Sequence, residues 1–191
     1  MQRLPEGLKE KLCAWYDAGH RELPWRQDRE PYHVWLSEIM LQQTRVEAVK
    51  GYYARFLTEL PTIAALADCP PDRLTKLWEG LGYYSRVRNL QKAAKIIMEE
   101  SGGVFPKTYD AVRALPGIGD YTAGAICSIC FELPTPAVDG NVLRVLSRVT
   151  EDGASITAQK TKNACREALL PLYGAVPRGK LTQALMELGA M

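Results

Sequence analysis

Apolar positions recur at steps of three and four residues along nearly the whole chain, the spacing of a helix face and not the alternation of a strand. Leu8, Leu12, Trp15 and Tyr16 mark a first amphipathic helix. The run VWLSEIMLQQ at 34–43 is apolar almost all round, as a helix buried on every side must be. Thr44-Arg45-Val46-Glu47 has capping-box spacing, Thr at the N-cap and Glu at N3. It opens a helix faced by Val49, Tyr53, Phe56, Leu57 and Leu60, and Pro61-Thr62 starts a short one after it. Leu74, Leu77, Trp78 and Leu81 follow, with Gly82 at a C′ position. Tyr83, Val87, Leu90, Ala94 and Ile97 step along a longer helix that Gly102-Gly103 ends. Val142, Val145, Leu146 and Val149 form a further face; Ala168, Leu169 and Leu172, then Leu181, Leu185 and Leu188, form the last two. No β-hairpin signal, repeat or low-complexity segment competes, so the pattern predicts an all-α protein. The 191 residues allow one large domain or two lobes, and periodicity alone does not place a boundary.

Composition narrows the setting. A hydrophobic fraction of 47% is ample for a buried core. The net charge of +2 means that a nucleic-acid partner would be held by local positive patches and not by a global field. The N-terminal MQRLPEGLKEKL lacks the apolar run of a signal peptide, and no apolar stretch reaches membrane-spanning length. A soluble intracellular protein is expected. The five cysteines, Cys13, Cys69, Cys127, Cys130 and Cys165, are odd in number and scattered, which fits reduced thiols better than a disulfide framework. Cys127-x-x-Cys130 lies in the apolar helical stretch TAGAICSICF and reads as core packing. With only His20 and His33 beside them, no zinc site is expected.

Three features carry candidate chemistry. Leu115-Pro116-Gly117-Ile118-Gly119-Asp120-Tyr121-Thr122-Ala123-Gly124-Ala125 reads as a short helix, with Tyr109, Val112 and Leu115 inward, a tight Gly-x-Gly turn, and a second helix from about Tyr121. Glycines let the backbone approach another chain closely, and the free N–H groups of the new helix suit a phosphate bound without sequence readout. An αα-corner whose glycines serve packing fits the same residues. Asp120 would sit near such a phosphate unless it caps the helix.

The second feature is a pair of carboxyls. Glu38 is flanked by Leu36, Ile39, Met40 and Leu41, where desolvation disfavours the charged form. Asp139, in AVDGNVLR, stands at a helix start, where free N–H groups and the dipole favour the anion. Carboxyls pushed apart in this way can act as an acid and a stabilising anion. Asp139 as a plain N-cap and Glu38 as a helix-surface charge are the alternatives, and nothing local brings the two together. Third, GLGYYSRVRNLQK sets Tyr83, Tyr84, Arg86, Arg88 and Lys92 after a glycine turn, Leu23-Pro24-Trp25-Arg26 puts an aromatic beside a cation, and Arg144 and Arg148 share a helix face. Basic side chains track phosphates and aromatics stack on bases or wedge between them.

Together these segments resemble the helix-hairpin-helix base-excision glycosylases, and within them the MutY-type adenine DNA glycosylases. The matching stretches are LPWR at 23–26, WLSEIMLQQTRVEAV at 35–49, WEGLGYYSRVRNL at 78–90, LPGIGDYTAGAI at 115–126, PAVDGNVLRVLSR at 136–148 and ALMELGA at 184–190. They run in family order over nearly the whole chain.

The resemblance implies two helical lobes with a DNA-binding cleft between them. A six-helix barrel lobe would span 23–134, with the helix-hairpin-helix at about 108–130, and the second lobe would join 1–22 to 135–191. It implies that Glu38 is the general acid/base, that Asp139 stabilises the sugar cation, and that Tyr121 and Asn141 are their active-site partners. Arg21, Trp25, Arg26 and Glu187 match positions that bind adenine. Gln42, Gln43, Thr44, Tyr83, Ser85, Arg86, Arg88, Gly117, Gly119 and Thr122 match positions that contact DNA, with Gln43 and Tyr83 wedging into the stack. The hairpin carbonyls could hold a monovalent or divalent cation. The expected partner is duplex DNA with adenine mispaired against 8-oxoguanine or guanine, met by a monomeric, nucleoid-associated cytoplasmic enzyme. The chemistry agrees: adenine is a poor anionic leaving group, and protonation at N7 by a neutral carboxylic acid makes departure feasible, for about 10²–10⁴-fold. A fixed anion stabilises the positive charge that grows on the sugar, and base flipping brings the bond within reach.

Two departures shape the expectation. The bifunctional relatives carry a lysine nucleophile where this chain has Tyr121, so a monofunctional enzyme is expected. The family also binds a [4Fe–4S] cluster through four cysteines just after ELGA, and reads 8-oxoguanine with a C-terminal domain. This chain ends at Met191 before either, so no cluster ligand is expected in it and it reads as a shortened form. A thymine or uracil mismatch glycosylase of the same superfamily, which can also carry Tyr at this position, is disfavoured by Glu38, since pyrimidines leave without an N7 acid. A non-catalytic helix-hairpin-helix module is disfavoured by the presence of both carboxyls.

Overall fold

The structure is a computed structural model that describes residues 4–191. Met1–Arg3, which open the N-terminal stretch read above for a leader, lie outside the described residues. Among these there are eleven α-helices, two short 3-10 turns and no strand, so the fold is all-α. The helices are α1 (Leu8–Gly19), α2 (Pro31–Met40), α3 (Val46–Glu59), α4 (Ile63–Asp68), α5 (Pro71–Trp78), α6 (Ser85–Ser101), α7 (Tyr109–Ala114), α8 (Asp120–Phe131), α9 (Gly140–Val149), α10 (Gln159–Leu169) and α11 (Arg178–Ala190). No helix of the described residues is long and apolar enough to cross a membrane.

The chain divides into two compact units, Glu22–Thr122 and the residues up to Arg21 with Ala123–Met191. The sequence reading divides it after 22 and after 134; the structure divides it after Arg21 and after Thr122, inside α8. From Ala123 onward α8 buries its residues in the same unit as α11, through Ser128 Oγ to Thr182 Oγ1 at 2.8 Å.

In the unit Glu22–Thr122, α2 is the axis. Only Pro31 and His33 of its ten residues escape burial, as its apolar circumference requires. Trp35 meets Phe105 edge-on with ring centroids 5.5 Å apart, and Phe56 meets Trp78 in the same manner at 6.0 Å. Two buried polar side chains, Gln91 and Tyr32, are matched to backbone ends. The Gln91 amide donates to the carbonyls of Leu66 and Cys69 where α4 ends, at 3.2 and 2.6 Å, and Tyr32 donates to Leu60 where α3 ends, at 2.8 Å. These bonds satisfy carbonyls that a helix C-terminus leaves without partners.

The other unit packs α1, α9, α10 and α11 around Leu12, Tyr16, Val142, Leu146, Leu169, Tyr173, Leu181 and Leu185. Leu188, expected on the apolar face of α11, is instead exposed. The N-terminus of α11 has no local side-chain cap. Glu132 supplies one from the end of α8, accepting from the amides of Arg178 at 2.5 Å and Gly179 at 3.2 Å.

Element boundaries follow the sequence in places and depart from it in others. Thr62 caps α4 through Ala65 N–H, and Gly102 in the left-handed region closes α6. Thr44 does not cap α3: Arg45 stands at the N-cap with no side-chain bond, because the Thr44 hydroxyl is turned toward the Gln42 carbonyl and the Arg86 guanidinium. Gly82 is not the C′ residue of α5, which ends at Trp78; it belongs to a separate turn with Gly80 and Tyr83. That turn also delays α6 until Ser85.

Gly124 in α8 is fixed by packing. A Cβ there would lie 2.8 Å from the Pro136 carbonyl oxygen and 3.2 Å from Ala137 Cα, both backbone atoms with little room to move. Gly124→Ala gains up to about 1 kcal/mol of helix propensity and incurs overpacking of about 1–3 kcal/mol. Urea unfolding is expected to show a net loss of about 1–2 kcal/mol, and an unchanged or raised midpoint would show that the 136–137 segment yields freely.

Candidate functional site

The hairpin forms as a local unit. Thr108 caps α7 through Ala111 N–H, Leu115 turns the chain, and Gly117 takes φ +81°. A side chain at Gly117 would also press against Asn89 of α6 at 2.9 Å, so this glycine meets both a conformational and a packing demand. Ile118 is buried and spends its amide on the Leu115 carbonyl, while Gly117 and Gly119 are exposed. Asp120 opens α8, and its carboxylate is answered by Arg113, whose Nε lies 2.6 Å away and whose Nη1 also holds the Ile118 carbonyl at 3.0 Å. The charge that would oppose a phosphate at the hairpin is thus neutralised. Arg113 was not singled out from the sequence; its only signal is its place one helix-length before Asp120 across the turn. Thr122 is buried, so only its backbone remains for an outside contact. Tyr121 beside it is half-buried.

Arg86 is corrected from a surface phosphate contact to an internal one. It is 8% exposed. Its Nη1 donates to the carbonyls of Ile39, Met40 and Gln42 at 3.0, 3.0 and 2.6 Å, and its Nη2 to Leu81 and Gly82 at 2.9 and 3.3 Å. The guanidinium also lies over the rings of Trp78 and Tyr83. One cation therefore ties the loop after α2 to the loop before α6. Each loop carries an exposed residue in the left-handed region, Gln43 at φ +58° and Tyr83 at φ +45°. Such backbone is uncommon for non-glycine residues and persists where surroundings hold it. Ser85 and Arg88 are exposed near the start of α6. Gln42, Ser85, Arg86, Asn89 and Gly117 line one cavity of about 150 Å³, which brings four of the residues expected at DNA together beside the hairpin.

Of the residues expected to bind adenine, Trp25 is buried and stands edge-on to Tyr53 with centroids 5.5 Å apart; Arg26 follows it, half-buried. In the other unit, Glu187 is 1% exposed and accepts from Arg21 Nε at 2.6 Å and Nη2 at 2.8 Å, as well as from the Arg21 amide at 3.1 Å. A buried carboxylate needs such a partner.

Glu38 lies on α2 among Leu36, Ile39 and Met40 and is 8% exposed, so it is a buried carboxyl and not a helix-surface charge. Asp139 is the N-cap of α9: Oδ1 accepts from Val142 N–H at 2.8 Å, and Oδ2 from Asn141 Nδ2 at 3.0 Å. The expectation that the helix start would favour the Asp139 anion is overturned. Burial raises its pKa above the ordinary carboxylate value and outweighs the opposing bonds from Val142 and Asn141 and the attraction of Arg144. Asp139 is thus an anion held at a disadvantage, and cap and dipole offset that only in part.

The five cysteines do not gather. Among the described residues no group of three or more His, Cys, Asp or Glu could hold a metal ion. Burial pushes the Cys127 thiol up to about 11, which keeps it protonated and a poor ligand. The residues present do not fit a four-thiolate iron–sulfur cluster.

Residues 36–171 match the family model of the HhH-GPD superfamily base excision DNA repair proteins. The chain is 44% identical over 192 residues to the adenine DNA glycosylase of Rattus norvegicus, covering 96% of this chain and 37% of that one. It is 44% identical over 188 residues to the Homo sapiens protein of the same name, with 94% and 34% covered. With the adenine DNA glycosylase of Buchnera aphidicola subsp. Baizongia pistaciae it shares 42% over 182 residues, with 94% and 51% covered. The chain spans between 34% and 51% of the length of these relatives. Among solved structures, a thermostable thymine-DNA glycosylase aligns with a TM-score of 0.80 at 23% identity, covering 96% of this chain and 84% of that one. Endonuclease III in a trapped covalent intermediate with DNA aligns with 0.73 at 21%, covering 94% and 80%. At these identities the likeness is one of fold.

The raised pKa of Asp139 has a consequence for stability. A carboxyl whose folded value lies above its unfolded value stabilises the fold at low pH, and that contribution is lost as pH rises from the unfolded to the folded value. At neutral pH Asp139 is therefore a burden on the fold. Asp139→Asn keeps an acceptor for Val142 and is expected to raise Tm at pH 7, with the gain shrinking as pH falls toward 3.8, the ordinary value of the group, and gone below it. A lower Tm at pH 7 would show that the cap bonds outweigh burial.

Proposed function

Because the chain belongs to the HhH-GPD superfamily of base excision DNA repair proteins, we propose that it carries the catalytic chemistry of an adenine DNA glycosylase. The substrate is duplex DNA with adenine mispaired against 8-oxoguanine or guanine, bound by a monomer. The observation that carries this reading is a carboxylate held ready inside the fold: Asp139, fixed by Val142 N–H and the Asn141 amide, in a chain that also buries Glu38.

The exposed, left-handed Gln43 and Tyr83 enter the base stack, and the hairpin takes a phosphate at Gly117–Gly119. The flipped adenine is read by Trp25 and Arg26 and by Glu187, which Arg21 orients. Protonated Glu38 delivers its proton to adenine N7. The C1′–N9 bond breaks, its electron pair leaves with adenine, and the sugar becomes an oxocarbenium ion. The Asp139 anion stabilises that cation, more strongly in a site shielded from water than it would in solvent. Water then adds at C1′ and its proton returns to the Glu38 carboxylate, leaving an abasic site. Tyr121 stands where a lysine would form a Schiff base, so the strand is not cut.

Glu38→Gln retains size and much of the hydrogen bonding but has no acidic proton. Under single turnover on A:G and A:8-oxoguanine duplexes, adenine release is expected to fall by at least about 100-fold while DNA affinity stays within a few-fold. Release at near wild-type rate by the variant would make Glu38 a structural residue and send the search for the acid elsewhere.

A further inference from the structure

The turn that carries Tyr83 is held at Leu81 and Gly82, whose carbonyls accept from Arg86. At Gly80 it meets α3 as well. Gly80 stands at φ +101°, and from Gly80 to Tyr83 only Leu81 lies outside the left-handed region. A Cβ at Gly80 would lie 2.0 Å from Tyr52 Oη and 3.2 Å from Tyr52 Cζ, and the three nearest atoms all belong to that phenol. At Gly82, also left-handed at φ +70°, a Cβ would meet nothing within 4 Å. Gly82 therefore answers to conformation alone, whereas Gly80 also lets the backbone come against the Tyr52 hydroxyl. The phenol has a support of its own. Arg55, one turn on along α3, lays its guanidinium over the Tyr52 ring, 4.8 Å from the centroid, and donates from Nη2 to the Leu77 carbonyl near the end of α5 at 3.0 Å. The buried face of α3 is Val49, Tyr53 and Phe56, so Tyr52 and Arg55 stand off it. Tyr52 is half-buried all the same, and the backbone of the turn is what it meets.

We propose that Tyr52 is a positioning residue: backed by Arg55 and α5, its phenol is the stop on which the Gly80 backbone rests, and it keeps Tyr83 in place when the tip is loaded. The role rests on the proposed glycosylase reading, in which Tyr83 enters the base stack; the contact at Gly80 rests on geometry alone. Packed groups yield little under load, so the phenol limits how far the turn can move toward α3. Without it the turn keeps its bonds to Arg86 and loses that limit. Affinity is carried chiefly by phosphate contacts and changes little. The step that slows is the opening of the base pair. In the sequence, the one signal is an aromatic placed off the apolar face of an amphipathic helix.

The test follows base opening, reported by 2-aminopurine beside the mispaired adenine, separately from binding and from adenine release. In saturated complexes with an A:8-oxoguanine duplex, Tyr52→Leu is expected to slow opening and single-turnover release together by about 10–100-fold, the scale of a misplaced group. Affinity by fluorescence anisotropy should stay within a few-fold of the parent. Opening at the parental rate would overturn the proposal. A steric cycle tests the contact with a milder variant that keeps the ring. Gly80→Ala should lower the urea midpoint and slow opening in the parent. In a Tyr52→Phe background, where the nearest atom to that Cβ is the ring carbon at 3.2 Å, both effects should be at most about half as large. Gly82→Ala, left-handed but without a neighbour, should act equally in the two backgrounds. Equal effects of Gly80→Ala in both would overturn the proposal, because backbone strain and not the phenol would then account for the glycine. A parent chain that binds the duplex and opens no base would reject the wedge reading, and the role of Tyr52 with it, while the urea cycle would still report the contact at Gly80.

Discussion

The guanidinium of Arg86 gathers carbonyls from the end of α2 and the loop after it with those of the loop before α6. Taking a cation out of water is expensive, and here it is offset by five hydrogen bonds to carbonyl oxygens and by the faces of Trp78 and Tyr83. Charge-assisted bonds of this kind are about twice as strong as neutral ones. The end of α2 lacks a glycine cap, and the guanidinium supplies donors to carbonyls of the kind a helix C-terminus leaves without partners. The same cation sets the path of the two loops, and the left-handed backbone at Gln43 and Tyr83 follows from that path. A wedge into stacked bases must resist being pushed back. If the two tips enter a base stack as proposed, tips tied to one buried charge resist it better than two independent loops would.

The other unit shows the opposite relation between stability and chemistry. Asp139 has what an N-cap needs, yet burial raises its pKa, so the fold holds the anion against its preference. Functional sites often hold groups that the fold alone would not favour. Asn141 and Arg144 limit the disadvantage. Glu187, on α11, is likewise buried with its cation, Arg21. Positive charge in this unit is thus used to orient carboxylates and amides.

Much of this was legible in the chain. The helices, the hairpin with its glycine turn, the cap at Asp139 and the burial of α2 follow from local spacing and from apolar character, which act over a few residues. What was not legible depends on contacts distant in sequence. Arg86 reads as a surface cation because its carbonyl partners are as much as 47 residues away and carbonyls carry no sequence signal. Thr44 reads as an N-cap because the competing attraction of Arg86 is invisible locally. The direction of the Asp139 shift is hidden for the same reason: the helix dipole is local and can be read, whereas burial is set by the whole fold. The division inside α8 has no signal in the chain, because an unbroken helical pattern carries no mark of where its packing partners change.

The central claim is that this chain removes adenine, and the identity of the released base tests it most directly. The 191-residue chain, in excess over duplexes containing A:8-oxoguanine, A:G or T:G, would be assayed for free bases under single turnover, with binding followed by fluorescence anisotropy in the same solution. The account predicts free adenine from both adenine-containing duplexes, no thymine from T:G, and an abasic strand that stays intact until treated with alkali. Thymine release, or a fully bound A:8-oxoguanine duplex that yields no adenine, would contradict it.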